Sequence, residues 1–272
     1  MSEVTRPALR YHGGKWRLAP WIISHFPPHR IYVEPFGGAA SVLLRKPRVY
    51  SEIYNDLDGE VVNLFRVLRN TSQARELARL VDLTPCARQE FDDAKLFHGD
   101  PIEQARRTLV KYWFAYATGR KVDDNKVFRS HASSRRSVAR DWSTFSVVVS
   151  EISARLRGVL VENAPAIEVI QRFDDAQALH YVDPPYVIAT RSERQAGNIY
   201  RFEMSDDEHR ELAACLRSVK GLVLVSGYRS ALYDELYGEW RRVDTKAIAD
   251  GGAVRTESLW LSPNAKQGGL FE

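Results

Sequence analysis

Three oxygen acceptors gather where Tyr181-Val182-Asp183-Pro184-Pro185-Tyr186 ends an apolar stretch of chain. Neither proline has an N–H, so the carbonyl before the pair and the one that joins it can face outward beside the Asp183 carboxylate. Such a set suits a planar amine conjugated with a purine ring, whose delocalised lone pair is a poor nucleophile. Bonds from its two hydrogens to the Asp183 side chain and the Pro184 carbonyl would shift the nitrogen toward sp³ character. Its lone pair would then aim at an electrophile such as a sulfonium methyl, with Tyr186 stacked on the ring. The plain alternative is a strand terminated by two prolines near a surface acid. Two prolines between an Asp and an aromatic, at a strand end, favour the chemical reading.

A second constellation lies far upstream, in Val33-Glu34-Pro35-Phe36-Gly37-Gly38-Ala39-Ala40-Ser41. Small residues at a strand-to-helix turn let a ligand approach the backbone closely. A lone Gly-Gly pair fits a ligand-free turn equally well, and Asp56 alone would pass for a helix cap. Their joint placement argues for a nucleoside, because a carboxylate after the second strand can accept hydrogen bonds from both hydroxyls of a ribose.

The elements that must hold these residues read as α/β. Arg30 to Glu34 is expected as a short buried strand, Ala40 to Arg45 as a helix, Arg48 to Tyr54 as a second strand and Asp58 to Arg69 as an amphipathic helix. In the C-terminal half, Ala178 to Val182, Gly221 to Ser226 and Ser258 to Leu261 read as strands. Asp206 to Val219 reads as a helix, with Ser205 and Glu208 forming a capping box. The middle is mostly helical and polar, with a loop-like section from Thr118 to Ser137. An open parallel sheet interrupted by a helical insertion is the simplest architecture.

The chain is +4 overall, and between Arg106 and Arg157 twelve basic residues face four acidic ones. Arg120, Lys121, Lys126, Arg129, Arg135, Arg136 and Arg140 are interleaved with Tyr112, Trp113, Phe114, Tyr116, Phe128 and Trp142. A solvated charged face explains many such runs, but cations interleaved with aromatics favour a phosphate-binding surface, some of the aromatics being core. No apolar run approaches the ~20 residues needed to span a bilayer. Met1 to Pro7 has no apolar signal region, which places the chain in the cytosol. Cys86 and Cys215 lack metal or disulfide spacing and are expected as reduced thiols.

At Asp183 to Tyr186, Phe36 to Ser41 and Tyr11-His12-Gly13-Gly14-Lys15 the chain resembles the DNA adenine methylase (Dam-like) family, over nearly its whole length. The motif order is similar to the family's alpha group. That resemblance implies a Rossmann-like, S-adenosylmethionine-dependent methyltransferase sheet with an inserted, mainly helical target-recognition subdomain. The catalytic domain would comprise residues 1–62 and 157–272, and the DNA-binding insertion residues 63–156. It also implies direct transfer to the N6 amine of a flipped adenine in double-stranded DNA, without a metal, by a monomer or dimer of prokaryotic or phage origin associated with the nucleoid. Asp183, Pro184, Pro185 and Tyr186 would be catalytic. Tyr11, Lys15, Phe36, Gly38, Ala40, Ser41, Asp56 and Asp183 would hold the cofactor, Lys15 through its carboxylate. Arg120, Lys121, Lys126, Arg129, Arg135, Arg136 and Tyr200 would meet DNA, Tyr200 by closing a loop over the base. One residue departs from the family loop, where the second glycine is replaced by Ala40. Alanine can open the following helix provided that position is not left-handed.

Other readings compete. Pro85-Cys86 and Glu162-Asn163 mimic the nucleophile and acid motifs of cytosine C5 methylation, though Cys86 sits in a polar context resembling a helix start. A catalytically dead nucleic-acid binder that kept the fold, and an enzyme acting on RNA, are further alternatives.

Overall fold

Successive side chains on a strand leave on opposite faces, and the central strands use this to fill two layers at once. The computed structural model describes residues 4–116, 127–129, 137–190, 201–248 and 254–265. The first half runs α1 (Ala19–Ile23), β1 (Ile31–Glu34), α2 (Ser41–Arg45), β2 (Ser51–Asn55), α3 (Gly59–Arg69), α4 (Thr71–Leu83), α5 (Arg88–Asp93) and α6 (Pro101–Trp113). The short strands β3 (Ala115–Tyr116) and β4 (Val127–Phe128) follow, then α7 (Val138–Trp142) and α8 (Phe145–Leu156). The second half runs β5 (Val159–Glu162), α9 (Ala166–Arg172), β6 (Ala178–Val182), α10 (Asp206–Ser218), β7 (Leu222–Gly227), α11 (Ala231–Tyr237), β8 (Arg241–Ile248) and β9 (Val254–Leu261).

Seven strands form a sheet in the order β5-β2-β1-β6-β7-β9-β8. Tyr32, Tyr54, Leu179, Tyr181, Leu224, Leu259 and Leu261 enter one core with α2, α3, α4, α6 and α8. Val182, Val223, Val225 and Trp260 pack with α10 and α11 on the opposite face, where Val33 and Ile53 meet Val169 of α9. Each buried side chain of this size contributes roughly 1.5–3 kcal/mol. The helices between β2 and β5 share the first of these cores, and α3 continues unbroken through residue 62.

The first five strands in that order are parallel, as the βα alternation requires. The sheet is closed by β9 antiparallel to β7 and by β8 antiparallel to β9, a departure from the purely parallel sheet the sequence suggests. Strand β8 escapes sequence reading because it is a polar edge strand carrying Arg241, Arg242, Asp244 and Lys246, without apolar alternation. Strand β5, at the other edge, is too short to show a period. The helix starts behave as expected: Asp58 caps α3, and Ser205 with Glu208 forms the capping box of α10. No helix among the described residues is long and apolar enough to cross a membrane.

From β1 the chain moves outward to β2 and β5, whereas from β6 it moves the other way to β7. Adjacent parallel strands whose connections diverge leave a crevice beyond their carboxyl ends. The Glu34-Pro35-Phe36-Gly37-Gly38 turn and the Asp183-Pro184-Pro185 segment both leave at that point.

Candidate active site

The turn after β1 is shaped by what packs beneath it. A Cβ on Gly37 would lie 2.1 Å from the Tyr54 ring, whose hydroxyl donates to the Gly38 carbonyl at 2.7 Å, so residue 37 has room for hydrogen alone. Gly38 has φ +47° and Ala40 follows with φ 51° and ψ 34°. Ala40 therefore does occupy the left-handed region, alone among the described non-glycine residues, at a cost of about 1–2 kcal/mol for an L-residue. Its side chain is fully buried in the core and does not line the crevice, so any part Ala40 plays toward the cofactor falls to its backbone. A methyl group fills the core at this point, and the backbone bears the strain.

Asp56 closes the other side of the turn. Its Oδ2 accepts from the Gly38 amide at 2.7 Å and its Oδ1 from the Asp58 amide at 2.8 Å, which pins the end of β2 to the glycine turn. Burial raises its carboxyl to about 6 against the pull of these two bonds. Helix capping falls to Asp58, so Asp56 is not a cap. Asn163 donates to the Asp56 and Leu57 carbonyls at 2.8 and 3.2 Å, and Asn55 clamps Pro35 and Ala164. Asn163 thus shapes a wall of the crevice.

One cavity is lined by Tyr11, Lys15, Phe36, Gly38, Ser41, Asp56, Asp183, Pro184 and Pro185. These residues, spread over almost the whole chain, are brought together. The lining also carries Glu34, Glu203, Glu208 and Glu211, and among the described residues Arg201 is its one cation besides Lys15. Ser41 Oγ is buried without a hydrogen-bond partner among the described residues. Glu34 lies on the floor, its Oε2 accepting from the Tyr32 hydroxyl at 2.7 Å and the Leu43 amide at 3.0 Å. Burial lifts its carboxyl to about 8, so the group is largely neutral at pH 7.

The Asp183 carboxylate is held on one oxygen. Lys15 Nζ lies 2.9 Å from Oδ1 and the Ser226 hydroxyl donates to the same atom at 2.7 Å. Lys15, almost fully buried, also donates to the Gly13 carbonyl at 3.0 Å and lies 3.6 Å from Glu257 Oε1. The resemblance assigns Lys15 to a cofactor carboxylate; within the protein its ammonium forms a charge-assisted contact with Asp183.

Tyr186 is held by neighbours of its own. Its hydroxyl donates to Glu257, Lys15 Nζ sits 4.7 Å from its ring centroid, and Tyr228 meets it edge-on at 4.6 Å. The ring is buried and does not line the cavity, so the face covered by Lys15 is not open to a stacked base. Burial raises the Glu257 carboxyl, with Lys15 opposing. Glu257 and Ser226 escaped sequence reading; Ser226 carried a signal, a polar residue in an otherwise apolar strand, whereas Glu257 lies among the polar residues Arg255, Thr256 and Ser258 of β9.

The expected DNA contacts Arg120, Lys121, Lys126, Arg135, Arg136 and Tyr200 lie outside the described residues. Arg129 is half-buried, its amide donating to the Phe114 carbonyl at 2.8 Å, and it does not line the cavity. Part of the basic excess serves internal pairing: Arg106 and Arg107 bind Glu103, Lys111 binds Glu60 and Arg155 binds Glu52. Trp113, Phe114 and Trp142 are core, whereas Tyr112 stacks on Tyr11 at 5.6 Å. Cys86 lies away from the cavity, and burial raises its thiol, which disfavours the thiolate a cytosine mechanism needs.

A switch-point crevice that joins a glycine turn to an amine-accepting strand end is the layout of a Rossmann-like methyltransferase. The chain belongs to the D12 class N6 adenine-specific DNA methyltransferase family, whose pattern it matches over residues 11–250. It is also similar to the Type II methyltransferase M.MjaIII of Methanocaldococcus jannaschii, with 22% identity over 259 residues covering 85% of this chain and 88% of that protein. Adenine specificity displaces the cytosine reading.

Proposed function

We propose that this methyltransferase moves the methyl group of S-adenosylmethionine to the N6 amine of an adenine flipped out of double-stranded DNA. The observation that carries this reading is the shared cavity, lined by Gly38, Ser41 and Asp56 on one side and by Asp183, Pro184 and Pro185 on the other. The lining suits the donor. Its carboxyl groups complement a ligand of net positive charge, the orphaned Ser41 Oγ offers a polar partner, and each Asp56 oxygen keeps a second lone pair for a ribose hydroxyl. When bound, the donor supplies an electrophilic methyl on a positively charged sulfur.

The chain's own residues then act on the amine. Among the described residues, Lys15 and Ser226 both meet the Asp183 side chain at Oδ1, so Oδ2 is available to one amine hydrogen and the Pro184 carbonyl to the other. Drawing on both hydrogens localises the nitrogen lone pair, and placement supplies most of the rate gain. Once the N–C bond has formed, Asp183 Oδ2 is the base placed to receive the surplus proton. Tyr186 and Glu257 brace Lys15, which places a positive charge beside Asp183. Residues 63–156 form the DNA-reading insertion in this proposal.

The test is transfer of a labelled methyl group to long, unmethylated duplex DNA, followed by identification of the modified base. N6-methyladenine is expected. Asp183→Ala should lower turnover by at least about 1000-fold while DNA binding is retained. Label on cytosine, or substantial turnover by Asp183→Ala, would overturn the proposal.

A further inference from the structure

Ser226 is the next-to-last residue of a strand otherwise built from Leu222, Val223, Leu224, Val225 and Gly227, and none of its surface is exposed. A hydroxyl in such a place is costly unless bonded. Its single proton goes to Asp183 Oδ1 at 2.7 Å, well inside the 3.5 Å that separates Oγ from the Val182 carbonyl. Ser226 Oγ also meets the Tyr181 hydroxyl at 3.0 Å. Because a carboxylate only accepts, the serine proton is committed and Tyr181 must be the donor to it. The order is therefore Tyr181 Oη–H to Ser226 Oγ, and Ser226 Oγ–H to Asp183 Oδ1.

Sheet geometry makes this chain rigid. Val182 pairs with Val225 across β6 and β7, so Asp183 and Ser226 both lie one residue beyond a fixed register. Tyr181 and Asp183 are two residues apart and share a face. Lys15 reaches the same oxygen on a flexible four-carbon stem and divides its ammonium among Asp183, Gly13 and Glu257. A mobile point charge neutralises a carboxylate without setting its rotation; a hydroxyl carried by the neighbouring strand does set it.

We infer that Ser226 is a positioning residue for methyl transfer, holding the Asp183 carboxylate by Oδ1 so that Oδ2 is presented to the adenine amine. The inference rests on the proposed role of Asp183. It predicts a defect in turnover more than in binding, since Ser226 does not line the cavity.

The experiment compares wild type, Ser226→Ala, Ser226→Thr and Asp183→Ala on the same unmethylated duplex DNA with labelled S-adenosylmethionine. Ser226→Ala should lower kcat roughly 10- to 100-fold, with KM for DNA and for the methyl donor changed by less than about 3-fold. The acid limb of its kcat profile should move to higher pH, because the ionised carboxylate loses a donor. Ser226→Thr, which keeps the hydroxyl, should recover most of the turnover. If Ser226→Ala does not fold, Ser226→Cys, with similar volume and a weak donor, takes its place with the same readings. A folded Ala or Cys variant with wild-type kcat and an unmoved acid limb would overturn the inference, as would a rise in KM with kcat intact. Absence of adenine methylation by the wild type would instead sink the functional proposal.

Discussion

Two buried lysines, Lys46 and Lys15, each hold a carboxylate, and the two sites differ in how completely that carboxylate is used. Glu52 on β2 is saturated: Oε1 receives Lys46 at 2.7 Å, Arg155 at 3.0 Å and the Val49 amide at 3.4 Å, and Oε2 receives Arg155 at 2.7 Å. Burial pushes its carboxyl up, but Arg155 and Lys46 together outweigh that and hold it below the usual range. This cluster ties α8 to β2 and, through the bond from Arg155 to the Leu43 carbonyl at 2.6 Å, to α2. Asp183 receives two donors on one oxygen and is bonded on that side alone. A saturated carboxylate can only hold elements together, whereas a half-saturated one is oriented and still able to bind.

Substitutions at the two carboxylates should therefore separate cleanly. The largest effect is the loss of turnover in Asp183→Ala, with a smaller loss of stability than at Glu52 because Glu257, 3.6 Å from Lys15, still faces the ammonium. Glu52→Gln should do the reverse, lowering stability by about 3–5 kcal/mol because Lys46 and Arg155 are left buried without a countercharge. Urea unfolding and activity per folded molecule would measure both; equal stability losses in the two variants would erase the distinction.

His180 carries the comparison to its limit, since neither ring nitrogen of this fully buried residue has a hydrogen-bond partner. Burial lowers its pKa to about 4, with Asp174 opposing. The folded-state value lies below the unfolded one, so the unfolded chain binds the extra proton between them. The stability that neutral His180 preserves is thus complete above pH 6.5 and is lost as pH falls toward 4, by about 3 kcal/mol in all. Relative to the wild type, His180→Leu should lose less stability across that window. Parallel curves for the two proteins from pH 7 to pH 4 would contradict this.

The smallest expected effect tests strain in place of charge. Ala40→Gly removes the left-handed penalty but frees the unfolded chain and empties a buried methyl site, so stability should change by less than about 1 kcal/mol. Because Ala40 does not line the cavity, calorimetric affinity for S-adenosylmethionine should stay within about 2-fold of the wild type. A large rise in affinity would show that strain at residue 40 reaches the binding surface.

Much of this was legible in the chain itself. The strands that reach the crevice contain consecutive apolar residues, and the helix starts at Asp58 and Ser205 carry side chains that cap their own backbone, so local chemistry suffices to place them. Asp56 and Asp183 stood out because their neighbours were unusual. Lys15 and Tyr186 were found as residues, but their partners within the protein, Glu257 and Asp183 for Lys15 and Glu257 for Tyr186, were not, because these come from distant parts of the chain. The basic middle looked uniform, yet Lys111 and Arg155 are committed to Glu60 and Glu52, 51 and 103 residues away, which one-dimensional charge counting cannot pair with them, while Arg106 and Arg107 pair with Glu103 within one helix.

Sequence alone determined the kinds of group available, a glycine turn, a carboxylate after β2 and a proline-stiffened strand end, because these depend on backbone rules acting over a few residues. Only the folded chain decided that β1 and β6 lie side by side, that Ala40 is left-handed, and which oxygen of Asp183 is tied. Those outcomes depend on sheet order and on side chains as far apart as Lys15 and Ser226, and no local pattern encodes a hydrogen bond across 40 residues or more.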